Sequence, residues 1–245
     1  MRRTLALSLA LSLSLGLLSG CGPAAPAVQA QELTAQPVSV QPAGSPAVDQ
    51  ALTSFGLSLL QSAREAESDP VLLSPLSAAL ALSMAANGAD GDTLAQFETV
   101  LGGGVTLDEL NAACTQLLSD YGDLDGSTEC LIANSLWTDP EGMIREDFIG
   151  KCQGIFDAQV FSQDLSAPSV VPAVNSWVSD HTNGMIPRIL SEPFNENAAL
   201  LLVNALYLKN TWETEFDPNN TYLRGFYHQG SDKESMDFLN AGFVT

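Results

Sequence analysis

Apolar residues recur at helical spacing through the first half of the chain, and this pattern predicts a series of helices. The first helix is amphipathic and runs from Leu52 through Arg64. The pair Ser74-Pro75 opens the second, because a serine side chain can cap a helix and proline is tolerated at the first helical position. This second helix extends to about Asn87 and is apolar on every side, which predicts burial on every side and a central place in the fold.

The pattern downstream mixes helices and strands without strict alternation. The predicted elements are helices over 93–101 and 107–118, a strand over 129–137, a helix over 144–155, a strand over 159–162, a helix over 172–181 and a strand over 198–208. The last run has no polar face and is predicted to be a central strand covered on both sides, since burial of each large apolar side chain stabilises by about 2 kcal/mol. The mixture favours an α+β domain over a doubly wound sheet.

The N-terminus has the layout of a secretory signal. Arg2 and Arg3 precede an uncharged run over residues 4–18, which is too short and too rich in serine for a membrane-spanning helix. The segment Leu18-Ser19-Gly20-Cys21 then resembles the lipobox of bacterial lipoproteins, in which the cysteine becomes the lipidated first residue. Cys21 is therefore the predicted lipidation site, and an ordinary cleaved signal with a cysteine nearby is the alternative. Lipidation would place the protein outside the cytoplasm, anchored to a bacterial membrane, and the alternative would give a secreted protein.

Residues 22–47 are predicted to be a tether, and residues 48–245 the folded domain. The tether is rich in alanine, glutamine and serine and is interrupted by five prolines: Pro23, Pro26, Pro37, Pro42 and Pro46. Such a composition cannot bury enough apolar surface to offset its ordering entropy, so an extended and mobile segment is expected.

The charge balance excludes whole classes of partner. With 9 basic and 29 acidic residues the net charge is −20, which disfavours nucleic-acid binding through phosphates and electrostatic docking to anionic lipid. Contact with a membrane is expected through the lipid anchor only.

Few side chains suggest chemistry. The three cysteines beyond Cys21 are interpreted as buried small side chains, because their number is odd and no two have metal-ligand spacing: Cys114, Cys130 and Cys152. Asp123-x-Asp125-Gly126 is interpreted as an acidic surface loop, since Tyr121 stands where a calcium loop needs its first ligand. No serine lies in a G-x-S-x-G elbow, and His181 is expected to interact with helix-terminal carbonyls. No catalytic, cofactor or metal site is predicted.

Three segments, in the right order, resemble the serpin family over about residues 48–240. They are Leu73-Ser74-Pro75-Leu76-Ser77 with Gly88-Ala89 and Thr93; Asn175-x-Trp177-Val178 with Thr182-x-Gly184-x-Ile186; and Leu202-Val203-Asn204-Ala205-Leu206-Tyr207-Leu208-Lys209-Asn210-Thr211-Trp212. The family usually has glycine where Asn210 stands, and asparagine is the next best residue for a left-handed turn. The resemblance implies a serpin-like α+β fold, with the N-terminal helices and part of the main mixed sheet.

The resemblance also implies a function. Serpins inhibit serine and some cysteine proteases, without catalytic residues of their own, by inserting a cleaved reactive loop into the main sheet. By resemblance, Ser74, Ser77 and Asn204 would lie at the shutter, where buried polar side chains bond across the opening sheet, and Trp212 at the breach, where insertion begins. The plain structural alternatives are a helix cap, a core serine, a satisfied asparagine and a packed tryptophan.

In serpins the reactive loop and further strands come later than residue 245, so this chain is expected to be a truncated form, inactive as it stands. The target protease is the partner expected of a complete protein. A non-inhibitory binding or scaffold protein, or a degenerate remnant, is the alternative. An extracytoplasmic enzyme or solute-binding lipoprotein has only the anchor in its favour.

Overall fold

The computed structural model describes residues 30–66, 70–122, 124, 128–227 and 233–239. The helices in these ranges are α1 (Pro46–Ala66), α2 (Pro75–Ala86), α3 (Gly91–Gly102), α4 (Leu107–Gly122), α5 (Glu146–Phe156) and α6 (Val170–Asp180). The strands are β1 (Gln31–Leu33), β2 (Glu129–Thr138), β3 (Ala158–Ser162), β4 (Leu200–Lys209), β5 (Tyr222–Tyr227) and β6 (Lys233–Phe238). The predicted α+β class is confirmed. Over the described residues, no helix combines the length and apolarity that crossing a bilayer requires.

Helix α2 is the centre of the helical layer and packs against α1, α3, α4, α5 and β4. Ser74 caps its N-terminus and Pro75 occupies the first turn, as predicted. Leu80 and Met84 are fully buried, but Leu82 is 36% exposed. Burial on every side is therefore wrong at Leu82, because no described element covers that face of the helix.

The main sheet has the order β1-β3-β2-β4. β2 and β3 run parallel and are joined by α5, as a parallel pair requires a crossover. β4 runs antiparallel to β2 over ten residue pairs, from Glu129 opposite Lys209 to Thr138 opposite Leu200. A separate two-stranded sheet, β5-β6, has mostly exposed side chains.

Two apolar clusters cover the two faces of this sheet. On one face, side chains from α1, α2, α4 and α5 pack with Leu136 of β2 and Val160 of β3. On the other face, Val174 and Trp177 of α6 pack with Val203 of β4. The middle of β4 is thus covered above and below, by alternating residues.

The prediction that β4 is a central strand is wrong for this structure. β4 pairs with β2 on one side, and no described strand pairs with its other side. Its burial falls off toward both ends, where Leu200 and Leu208 are exposed. An unbroken apolar run indicates that both faces are covered, but it carries no information about whether a second strand lies alongside.

The predicted tether is also corrected where the structure describes it. Residues 30–45 do not stand free: β1 pairs antiparallel with β3, and Leu33, Ala35 and Val40 pack against the core. Backbone hydrogen bonds and close packing against helix α5 supply the ordering that the composition of this segment does not suggest. Residues 1–29, which include the predicted signal and Cys21, lie outside the described residues.

Candidate functional site

The structure singles out the outer edge of β4, the strand that the sequence analysis placed at the centre of the sheet. A strand edge presents unpaired N–H and C=O groups, which makes it a template for another strand. Among the described strands, β4 has such an edge over ten residues, on a sheet whose faces are packed on both sides. The site can therefore bind an extended segment through main-chain hydrogen bonds, without any bond-making chemistry.

A chain of amide hydrogen bonds runs from this edge into the core. Asn204 of β4 donates its Nδ2 to Oδ1 of Asn134 at 2.8 Å, and Asn134 donates its Nδ2 to the carbonyl of Phe156 at 2.8 Å. Asn134 is 2% exposed. At the other end, Oδ1 of Asn204 is buried and has no hydrogen-bond partner among the described residues. Buried polar atoms are rarely left unpaired, so this oxygen is an open acceptor beside the open edge.

Sequence reasoning found Asn204 but missed Asn134. The available signal was a polar pair, Asn134 and Ser135, inside an otherwise apolar strand. Its meaning depends on register, because Asn134 lies directly opposite Asn204 in the β2–β4 ladder.

Helix α6 lies over the opposite face of the sheet and is held there by polar contacts. Nε1 of Trp177 donates to Oε1 of Gln159 on β3 at 2.6 Å, and Asn183 donates to Oε1 of Glu129 on β2 at 2.7 Å. His181 stacks on Trp177, and its Nδ1 lies 2.7 Å from the Trp177 carbonyl. The expected interaction of His181 with terminal carbonyls is confirmed. The hydrogen bonds of Trp177 and Asn183 connect α6 and the turn after it to β3 and β2.

Ser74 and Ser77 lie at the start of α2 and bond to each other. Their hydroxyl oxygens are 2.8 Å apart, and Oγ of Ser74 also accepts from the Ser77 N–H at 3.3 Å. Ser74 is exposed and Ser77 is half-buried. The described residues leave this end of α2 uncovered, and the shutter role of the two serines stays a prediction.

Trp212 follows the C-terminal end of β4 and is 69% exposed, with an edge-to-face contact to Phe216 at a centroid distance of 5.6 Å. Between β4 and Trp212, Asn210 does not adopt the left-handed conformation expected for a glycine position. Its side chain instead donates to Oγ1 of Thr128 at 2.9 Å and accepts from the N–H of Thr211 at 2.7 Å. The turn is thus held by side-chain hydrogen bonds.

The three described cysteines are free. Cys114 and Cys152 are buried, as predicted, and burial raises the pKa of their thiols to about 11 and about 12. Cys130 of β2 is only half-buried, which corrects the prediction for that residue, although desolvation still raises its pKa. Over the described residues, no cluster of histidine, cysteine and carboxylate side chains could hold a metal ion. Asp123, Asp125 and His228 lie outside those residues.

Comparison with known proteins agrees with this geometry. The family model described as Serpin (serine protease inhibitor) matches residues 50–242. The chain is 33% identical to Iripin-8 of Ixodes ricinus over 192 residues, covering 76% of this chain and 47% of the relative. It is 34% identical to neuroserpin of Gallus gallus over 174 residues, covering 68% and 41%.

Among solved structures, the thermophilic serpin tengpin in its native state aligns with a TM-score of 0.76 at 29% identity, covering 87% of this chain and 55% of that one. The chain thus spans about half the length of the relatives it matches.

Proposed function

Because the chain belongs to the serpin family, we propose that it forms the sheet-bearing part of an inhibitor of serine-type, or alternatively cysteine-type, endopeptidases. In this proposal the open edge of β4 receives the cleaved reactive loop as an additional strand. Inhibition then requires a protein that includes the loop, and residues 1–245 by themselves are not expected to trap a protease.

The observation that carries the proposal is that an open strand edge and an unpaired hydrogen-bond acceptor occur side by side. β4 has its faces covered and its outer edge free among the described residues. Oδ1 of Asn204 is buried there without a partner. A strand added at this edge would pair with the main chain of β4 and could bring a donor to this oxygen. The Asn204 side chain would then hydrogen-bond both to Asn134 of β2 and to the added strand.

The roles proposed for Ser74, Ser77 and Trp212 concern conformational control. Ser74 caps α2, the helix that packs directly on β4, and Ser77 in the first turn is hydrogen-bonded to that cap, so the pair sets how the helix begins. Trp212 stands at one end of the open edge, where an incoming strand would first meet the protein. In the described structure Ser74 caps the helix and bonds to Ser77, and Trp212 remains accessible to a strand or to solvent.

We also propose that Cys21 carries lipid and anchors the protein outside the cytoplasm. The support is the uncharged run over residues 4–18 followed directly by Leu18-Ser19-Gly20-Cys21. Replacing Cys21 with serine should move the protein from the membrane fraction to the soluble fraction and abolish incorporation of labelled palmitate. Labelling that persists in the Cys21→Ser protein would contradict this assignment.

The inhibitory proposal is tested with the product of the complete reading frame. It is incubated with a trypsin-like, a subtilisin-like and a papain-like protease, and a covalent complex that survives detergent is sought by gel electrophoresis. A matched protein with Asn204→Leu, which keeps the size of the side chain and removes both the acceptor and the donor to Asn134, should form less complex and more cleaved inhibitor. Cleavage without complex for all three proteases, at inhibitor excess, would instead support a non-inhibitory binding or scaffold role.

A further inference from the structure

The segment over residues 30–45, here named the strap, is built into the flank of the domain by specific contacts. Its strand β1 pairs with β3 from Gln31 opposite Ser162 to Leu33 opposite Val160. Beyond β1 the strap crosses α5. Gln153 of that helix donates to the Leu33 carbonyl at 3.0 Å and accepts from the Ala35 N–H at 2.9 Å. One side chain thus satisfies two main-chain groups of the strap.

Two glycines on α5 make this crossing possible. The strap donates from the Val38 N–H to the Gly150 carbonyl at 2.9 Å. A Cβ on Gly150 would overlap the carbonyl oxygen of Gln36, and a Cβ on Gly154 would overlap the carbonyl oxygen of Val38. Glycine in the middle of a helix is destabilising by roughly 0.5–1 kcal/mol relative to alanine. This helix has two of them, four residues apart, along the path of the strap.

The strand that the strap covers is a strong template for pairing. β3 reads Ala-Gln-Val-Phe-Ser, with β-branched and aromatic residues and no charge, proline or glycine. Uncharged, β-prone edges of this kind pair with strands of other molecules. β1 replaces that edge with one of three residues that carries the carboxylate of Glu32 and is followed by Pro37. Short, charged edges close to a proline are poor templates.

We propose that the strap is an intramolecular guard of the β3 edge. It occupies the place at which β3 of a second copy of this chain would otherwise pair. The sheet is thereby left with its open edge at β4 only, among the described strands. The assignment does not depend on the inhibitory function, because it concerns the opposite edge of the sheet.

The test displaces the strap without weakening the helix beneath it. In the full chain, Gly150→Ala and Gly154→Ala are combined, and amide hydrogen exchange is measured for the strap, β3 and β4 over a range of protein concentrations. The Val38 amide should exchange at least about tenfold faster than in the unmodified chain. The β3 amides should gain protection that increases with concentration, whereas exchange in β4 should not differ from that of the unmodified chain. Because alanine is the better helix former, far-UV circular dichroism should show no loss of helix.

The matched control is Gly122→Ala on α4, where an added Cβ meets nothing within 4 Å. A second variant, Gln153→Ala, removes both side-chain hydrogen bonds to the strap without adding bulk. If the double glycine variant loses helix, the same exchange measurements on Gln153→Ala test the proposal instead. The proposal is overturned if Val38 is unprotected in the unmodified chain, or if the strap is released and β3 shows no concentration dependence. Equal β3 association in the Gly122→Ala control would overturn it as well.

Discussion

Replacing Asn134 with alanine should destabilise the protein far more than replacing Asn204, although the two side chains bond to each other. Asn134→Ala removes the acceptor of Asn204 Nδ2 and the donor to the Phe156 carbonyl. Both lost bonds involve a residue that is 2% exposed. Each buried group left unpaired costs about 1–3 kcal/mol, which gives about 2–6 kcal/mol for this substitution.

Asn204→Ala leaves only one buried group, the Oδ1 of Asn134, without its hydrogen-bond partner. It also removes an oxygen that is already buried without a partner, and it acts at an edge strand where water can enter. The expected cost is about 1 kcal/mol, the lower end of the range for one buried unpaired group. In the double variant the two losses should not add, and the cycle should show a coupling of about 0.5–2 kcal/mol.

Urea unfolding measures these differences. It can be followed by far-UV circular dichroism and by the fluorescence of the tryptophans, of which Trp137 lies in the same strand as Asn134 and is buried. Equal slopes against urea are required for the free energies of unfolding to be compared. The reasoning fails if Asn204→Ala costs as much as Asn134→Ala, since Oδ1 of Asn204 would then have a partner and the edge would not hold an open acceptor.

Three further predictions concern the cap of helix α2, the buried thiols and the exposed side chain of Leu72. Ser74→Ala should lower the free energy of unfolding by about 1 kcal/mol through loss of the α2 cap, and Ser74→Asp should restore most of it. Burial raises the pKa values of Cys114 and Cys152 to about 11 and about 12. As pH rises, the unfolded chain therefore releases these thiol protons at a lower pH than the folded chain does. Stability should therefore be full below about pH 9 and fall as pH rises toward 12, by up to about 1.4 kcal/mol per pH unit for each thiol, as urea titrations in alkaline buffers would show. Leu72, which is 96% exposed, should promote association of the chain, so Leu72→Glu should lower the apparent mass in light scattering and leave the unfolding midpoint unchanged.

The local elements were predictable because each leaves a signal within a short window. The apolar spacing of α1 and the Ser74-Pro75 start of α2 each rest on neighbouring residues and were confirmed. The hydrogen-bond partners in the candidate site were not predictable in this way. Asn204 meets Asn134 across 70 residues of chain, and only the register of two strands brings them together.

Two of the errors of prediction, at β4 and at the strap, have one physical origin. Side-chain patterns report which faces are buried, whereas a sheet edge is decided by main-chain hydrogen bonds that any residue except proline can make. Leu202 and Val203 therefore indicate covered faces on β4 but cannot show that one edge is open. Residues 31–33 pair with β3 although their composition suggests a tether. The sequence does record the crossing of the strap over α5: Gly150 and Gly154 leave the space that the backbone of Gln36 and Val38 occupies. Paired glycines one helical turn apart are thus the sign by which a docked segment of this kind can be recognised before its structure is known.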